Sequence, residues 1–481
     1  MSTRKILVLA IVLPTLGAVI YSMKYSGKAC GGENANSKEY LCPRLYECVL
    51  ESNKPNAIGA CRFLPNGVRF DTSSFGTSEV KVITPQKDPV VEYNTETKKA
   101  QRVAIAHNKF GFELLKILSY NKENENKNVL VSPTSIELAL SIIYNGANGP
   151  TKDQLASVLQ ISSFGLLDLN ESSKILISRL TGTTGDIQSS ISNSVWVANE
   201  YRLTKEIEEE TQNSYNGQIA SVNFSEPTAP KVINDWISAN TDGKIKGVVP
   251  SQLNSKTAAY IVNAVYFNGI WKNGFNPDAT EPRDFTKQTG EKVKVPTMQM
   301  KREDFLYAEN ALFQIIKLPY GTDTKYSMVI LLPKDQGINN LLGKLSTDNW
   351  HGWLSLLAVK SGTIYLPKFS MEYTSTVTDA LKEMGLNLPF DPQTADFSGL
   401  FTNSTGKRLY INDILHKTYI DVNENGTEAA AATTVGVVAT AINTDQPKEL
   451  PFTMTVDKPF MFAVVNEETQ ANLFIGIVRE L

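Results

Sequence analysis

Three features of the sequence predict an α+β domain built on large sheets, preceded by a small separate module. Helical spacing dominates the first half of the region after residue 100, strand-like runs dominate its second half, and all four cysteines lie at or before Cys61. With 481 residues and 42% hydrophobic content, the chain can bury a large core. A net charge of -3 and the absence of a basic cluster argue against nucleic-acid partners and against a heparin-type cofactor site.

The first hundred residues are read by composition. Arg4 and Lys5 precede an apolar run, Ile6 to Tyr21, that Pro14 interrupts. It is short for a membrane span, so residues 1–22 read as a signal peptide and the protein as secreted and extracellular. No clean Ala-x-Ala follows, so a signal anchor is the alternative, and a membrane partner is expected only if the segment is retained. Cys30, Cys42, Cys48 and Cys61 fall in residues 23–62. In a secreted chain they suggest two disulfides stapling a module too short to build much core, with three pairings open. A zinc site competes less well because paired C-x-x-C knuckles are missing, so no metal or cofactor is expected. Residues 63–100, with Pro65, Gly67, Gly76, Pro85, Pro89 and the polar run Glu96 to Lys99, read as a linker.

From residue 101 the elements follow in order. Val103, Phe110, Leu114 and Ile117 share one helical face, and His107 falls on it as a core histidine. Asn128 to Val131 is a buried strand. Ser132-Pro133-Thr134-Ser135 then opens a helix with small polar groups and a proline at its start. Thr151 to Leu159 is amphipathic, Ser189 to Ala198 alternates as a strand, and Lys231 to Ile245 is a helix closed at Gly243. Ala258 to Phe267 reads as a central strand turned by Asn268-Gly269, with Trp271 following. Asn263 inside it needs a hydrogen-bond partner. Further strands are Val295–Met300, Tyr326–Pro333 and Gly362–Phe369. Thr378 to Gly385 is a helix, Asp396 to Leu400 a compact loop, and Lys458–Val465 with Ala471–Val478 a terminal hairpin.

Catalysis is not expected. The histidines are His107, His351 and His416, and no G-x-S-x-G or comparable nucleophile signature accompanies them. The informative stretch is Val422 to Thr434. Composition alone suggests a loop or an Ala-rich helix. At period two, however, one face reads Thr427, Ala429, Ala431, Thr433, Val435, Val437, Ala439, without charge, bulk or proline. Such a face can join a hydrophobic sheet as an added strand, with Gly426 as its hinge.

Glu424-x-Gly426-Thr427-Glu428-Ala429-Ala430-Ala431-Ala432-Thr433 resembles the reactive-loop hinge of inhibitory serpins, and Leu415 to Glu424 resembles the strand that feeds it. The resemblance extends from about Arg102 to Leu481. It implies three β-sheets, eight or nine helices and an exposed reactive loop. It also implies a polar cluster of Ser132, Ser135, Asn263 and His416 where sheet strands part, and it matches Trp271. The family's loop spacing, counted from Glu424, places the cleaved bond at Thr440–Ala441. An extra segment from Asn443 to Pro451 leaves Ala439, Ala441 or Ile442 open as displaced positions. The implied function is suicide inhibition of a serine protease: cleavage, acyl-enzyme formation, then insertion of the loop. At about 3.3 Å per residue, Thr427 to Thr440 spans roughly 46 Å, enough to drag a protease across the sheet.

Small uncharged residues around the bond, with no Lys or Arg between Gly426 and Pro447, favour an elastase-like or other small-pocket protease. A monomer is expected. The alternatives are a non-inhibitory carrier or chaperone on the same fold, and a surface-tethered binding protein led by the cysteine module. Sequons at Asn170, Asn223, Asn403 and Asn425 are candidate glycosylation sites.

Overall fold

The computed structural model describes residues 89–481, apart from 242, 403–405 and 428–449, with side chains from Tyr93 onward, and the backbone of three earlier strands. The chain divides into two compact units, Met1–Asn94 and Thr95–Leu481. In the first unit β1 (Ala29–Gly31), β2 (Tyr46–Leu50) and β3 (Ile58–Phe63) form an antiparallel sheet ordered β1-β3-β2. Cys48 stands opposite Cys61 in the ladder and Cys30 opposite Gly59. The cysteine side chains, and Cys42 altogether, lie outside the described residues.

The expected linker to residue 100 is corrected. Helix α1 runs Pro89–Tyr120, so residues 89–100 are helical. Proline suits a first helical position, where its missing N–H costs nothing. The polar run that suggested a linker is the outer face of this helix. Arg179 reaches Glu96 at 3.1 Å, Lys99 reaches Glu171 at 2.5 Å, and Gln101 donates to the Glu468 carbonyl at 2.8 Å, while Ala100 and Val103 are fully buried. Periodicity was masked because ion pairs, not apolar residues, line most of that turn.

Eight further helices occur among the described residues: α2 (Pro133–Tyr144), α3 (Gly149–Val158), α4 (Leu166–Leu180), α5 (Lys205–Tyr215), α6 (Ala229–Asn240), α7 (Gly337–Gly343), α8 (Thr347–Ser355) and α9 (Thr378–Glu383). No helix among the described residues is long and apolar enough to cross a membrane.

The strands are β4 (Val129–Val131), β5 (Gly182–Thr184), β6 (Ile187–Ala198), β7 (Gln218–Val222), β8 (Ala259–Ile270), β9 (Glu281–Thr286), β10 (Lys292–Glu309), β11 (Phe313–Tyr320), β12 (Tyr326–Pro333), β13 (Ala358–Pro367), β14 (Phe369–Thr376), β15 (Asp413–Asn423), β16 (Gly426–Thr427), β17 (Phe452–Thr455), β18 (Phe460–Asn466) and β19 (Asn472–Val478). One sheet runs β17-β13-β10-β11-β12-β18-β19-β4, with β9 also on β10. Strand β10 joins two of the expected sheets: it pairs β9 along Lys292–Thr297, β13 from Thr297 to Tyr307 with a register shift between Arg302 and Phe305, and β11 from Leu306 to Glu309. The other sheet runs β14-β15-β16-β8-β6-β5, with β7 on β6.

Helix α2 packs on β6, β8 and β19, so it lies between the two sheets, and all its residues are buried. Glu137 of α2 faces His107 of α1, Oε2 to Nε2 at 3.0 Å, both fully buried. Burial lowers the His107 imidazole to about 3 and pushes the Glu137 carboxyl well up, so the pair is neutral. His107 is thus the core histidine its place on the apolar face suggested.

Candidate functional site

The seven-stranded sheet is closed at one end and parted at the other. Strands β8 and β15 pair directly, in parallel, from Asp413↔Tyr260 to Thr418↔Val265. Beyond that they diverge, and β16 occupies the far end between them: Thr427 pairs with Val422 and with Gly269, and Gly426 with Asn423 and Ile270. Among the described residues, Tyr266–Asn268 and Tyr419–Asp421 have no ladder partner on their facing sides. Strand β16 is antiparallel to both neighbours, so this slot lies beyond the Thr427 end of β16.

Gly426 and Thr427 were expected at the base of an exposed loop; they are already part of the sheet. Gly426 has φ +150°, and a Cβ there would stand 2.0 Å from the Gly269 carbonyl oxygen, so only glycine fits. Thr427 is fully buried, as its place on the inward face required, and its hydroxyl lies 2.6 Å from that of Tyr320. Burial raises the Tyr320 phenol far above its ordinary range, so it stays protonated.

Trp271 organises the approach to β16. Its ring stacks on Tyr320 at 4.2 Å and 11°, its indole N–H donates to the Asn423 carbonyl at 2.9 Å, and its backbone N–H donates to the Asn425 carbonyl at 2.9 Å. Glu424 is tied down from the other side by Lys368 Nζ at 2.9 Å and the Thr280 hydroxyl at 2.8 Å. Burial alone would raise its carboxyl, but the hydrogen bonds from Lys368, its own backbone and Thr280 leave it lowered.

Where the slot closes, the polar cluster lies in one row across three strands. Asn193 of β6 is opposite Asn263 of β8, which is opposite His416 of β15. His416 Nε2 accepts the Ser132 backbone N–H at 3.2 Å, so the ring proton sits on Nδ1, which donates to Asn263 Oδ1 at 2.6 Å. The Asn263 amide then donates to Asn193 Oδ1 at 2.5 Å and to the Ser135 hydroxyl, which itself donates to Asn193 at 3.3 Å. Every member is fully buried, and desolvation holds His416 at about 3. Ser132 contributes its backbone N–H; its hydroxyl has no hydrogen-bond partner among the described residues. Asn193, Tyr320, Lys368 and Thr280 were not read from the sequence. Asn193 was legible as a lone amide on a buried strand face; nothing local marks the other three.

The remaining sites stand as follows. Glu428, Ala429 to Ala432, Thr440, Ala441 and Asn403 lie outside the described residues. Asn170 is corrected as a glycosylation candidate: it is buried in α4, donating to Asn145 at 2.8 Å and accepting the Tyr215 hydroxyl at 2.6 Å. Asn223 and Asn425 are half-exposed.

A family model described as "Serpin (serine protease inhibitor)" matches residues 105–481. The chain belongs to the serpin family. An uncharacterized serpin-like protein of Methanosarcina acetivorans is 34% identical to it over 82% of this chain and 87% of its own. The native structure of the thermophilic serpin tengpin is 28% identical, with a TM-score of 0.71, covering 79% of this chain and 94% of its own. Human thyroxine-binding globulin, 23% identical with a TM-score of 0.72 over 79% of this chain and 99% of its own, shares the fold. Many serpins are serine protease inhibitors, and the polar row joins β6, β8 and β15 side by side.

Two outcomes follow from the geometry. His107 and His416 are both held near 3, against 6.5 when unfolded. For His107, the proton that Glu137 keeps in the folded state, its carboxyl being pushed well up, offsets the one the imidazole gives up, so that pair adds little slope in this range. His416 has no such partner, so its contribution is complete above about pH 6.5 and falls as pH drops towards 3. Equilibrium unfolding between pH 6 and 5 should show a decline approaching about 1.36 kcal/mol per pH unit, and His416→Gln should remove it. A flat profile would mean that the His416 imidazole is not buried neutral. Separately, Tyr320→Phe strands the Thr427 hydroxyl at a cost of about 1–3 kcal/mol. Amide hydrogen exchange at Gly426 and Thr427 should quicken roughly tenfold or more; unchanged exchange would mean that this contact does not hold β16.

Proposed function

We propose that this serpin is a secreted, monomeric inhibitor of serine proteases that works by insertion of its own cleaved loop. The observation that carries this reading is the parted sheet, with Gly426 and Thr427 already threaded and a slot continuing below them. The sequence after Thr427 supplies a matching strand. Its inward positions, Ala429, Ala431, Thr433, Val435, Val437 and Ala439, are small or β-branched and uncharged. Backbone groups on both slot edges gain partners as it enters, and the apolar face is buried between the sheet and the groups beneath it. A protease acylated at Thr440 would be pulled along before it could hydrolyse its bond.

Selectivity is proposed from the bait. Val438, Ala439, Thr440, Ala441 and Ile442 suit a small apolar pocket, and no Lys or Arg occurs before Lys448 to attract a trypsin-like enzyme. Secretion is supported by the charged-then-apolar character of residues 4–21.

Incubation with pancreatic-type elastase, trypsin and chymotrypsin tests this. Elastase should yield a covalent complex that survives denaturation, and the released C-terminal fragment should begin within residues 440–443. Thr427→Arg places a charge in a buried position and expels β16, at several kcal/mol. It should be cleaved at about the unaltered rate while releasing active protease. Cleavage of the unaltered protein without trapping would point to a carrier on the same fold, and a fragment starting after Lys448 would reject the bait assigned here.

A further inference from the structure

A cavity of about 430 Å³ opens beside Trp271, and none of the hinge residues Asn423–Thr427 lines it. Trp271, Phe275, Met300, Phe305, Leu318 and Pro319 give it apolar walls. Its charges are unequal. Arg302 is committed to Asp304 through two hydrogen bonds of 2.8 Å, and Lys317 to Glu467 at 2.9 Å. The exposed Lys272 ammonium makes no hydrogen bond or ion pair among the described residues, although its charge reaches Asp304 and helps to hold that carboxyl low. Ser327, 1% exposed, also lines the cavity, and its hydroxyl makes no hydrogen bond among the described residues. A half-open cavity with apolar walls, one ammonium that makes no ion pair and one hydroxyl free to bond a ligand is the pattern of a small-molecule site.

We propose that this cavity binds an amphipathic carboxylate, and that the ligand steadies the threaded hinge. The apolar body lies among Trp271, Phe275 and Leu318, the carboxylate faces Lys272, and Ser327 donates to the ligand's polar end. Coupling follows from the hydrogen bonds of the same segment. Trp271 and Phe275 donate their backbone N–H groups to the carbonyls of Asn425 and Glu424, each at 2.9 Å, and the Trp271 indole binds Asn423. Lys272 donates its own backbone N–H to the Pro319 carbonyl at 2.9 Å, fixing the segment to β11. A ligand packed against these residues therefore favours the state in which they hold β16, and shifts the population towards it.

Calorimetry with naphthylacetate as the probe, and the neutral naphthylacetamide beside it, tests the site without any protease, so the result is independent of the inhibitor reading. The acid should bind saturably at one site. Lys272→Gln, an exposed change, should weaken the acid roughly tenfold and the amide little, and Ser327→Leu should abolish both. Amide exchange across Asn423–Thr427 should slow up to roughly tenfold at ten times the dissociation constant. No saturable binding, or binding indifferent to Lys272→Gln, overturns the site; binding that leaves hinge exchange unchanged overturns the coupling. Should Ser327→Leu fail to fold, Lys272→Glu, which ought to repel the acid and spare the amide, decides the same question.

Discussion

Among the described residues, the backbone N–H and C=O groups on the facing sides of Tyr266–Asn268 and Tyr419–Asp421 have no ladder partner. Buried backbone polar groups without partners are costly, and a strand offering a complementary ladder on both sides relieves both edges together. The rest of the architecture serves that constraint. Helix α2, wholly buried between the sheets, carries Ser132 and Ser135 to the point where the slot ends. Strand β16 wedges the other end open, held by Tyr320, Trp271 and the hydrogen bonds to Glu424.

The row Asn193–Asn263–His416 determines how far the slot extends. Each hydrogen bond in it contributes about 0.5–1.5 kcal/mol net, small enough to exchange and large enough, in sum, to keep β8 joined to β15 in the resting state. Because Asn263 spends its acceptor on His416 and both donors on Asn193 and Ser135, no group in its side chain is left over. Opening the pair can proceed by trading partners with an incoming backbone. On the inhibitor reading proposed above, the native state is a kinetically held arrangement.

Much of this was legible in the sequence, for identifiable reasons. The inward face from Thr427 could be read because period two separates it cleanly from its neighbours, and Thr427 is indeed fully buried. Asn263 announced a partner because an amide in an apolar strand must have one. Other parts were hidden. The start of α1 was obscured because Glu96 and Lys99 face ion pairs on another helix, so their turn lacks an apolar stripe. Asn170 looked like a sequon because a three-residue motif carries no information on burial, whereas the side chain is locked to Asn145 and Tyr215. Early docking of Gly426 and Thr427 was invisible, since it depends on Tyr320 and Lys368, brought close only by the fold.

The central claim is that the slot between β8 and β15 accepts the chain beyond Thr427 as a strand. Thermal unfolding of the protein before and after a single cut within residues 439–442 tests this most directly, with no trapped protease present to complicate the comparison. If the freed strand fills the slot, pairing both of its edges, the unfolding midpoint shifts clearly upward on cleavage. A midpoint that stays in place or falls, as expected for a nicked surface loop, would contradict the account.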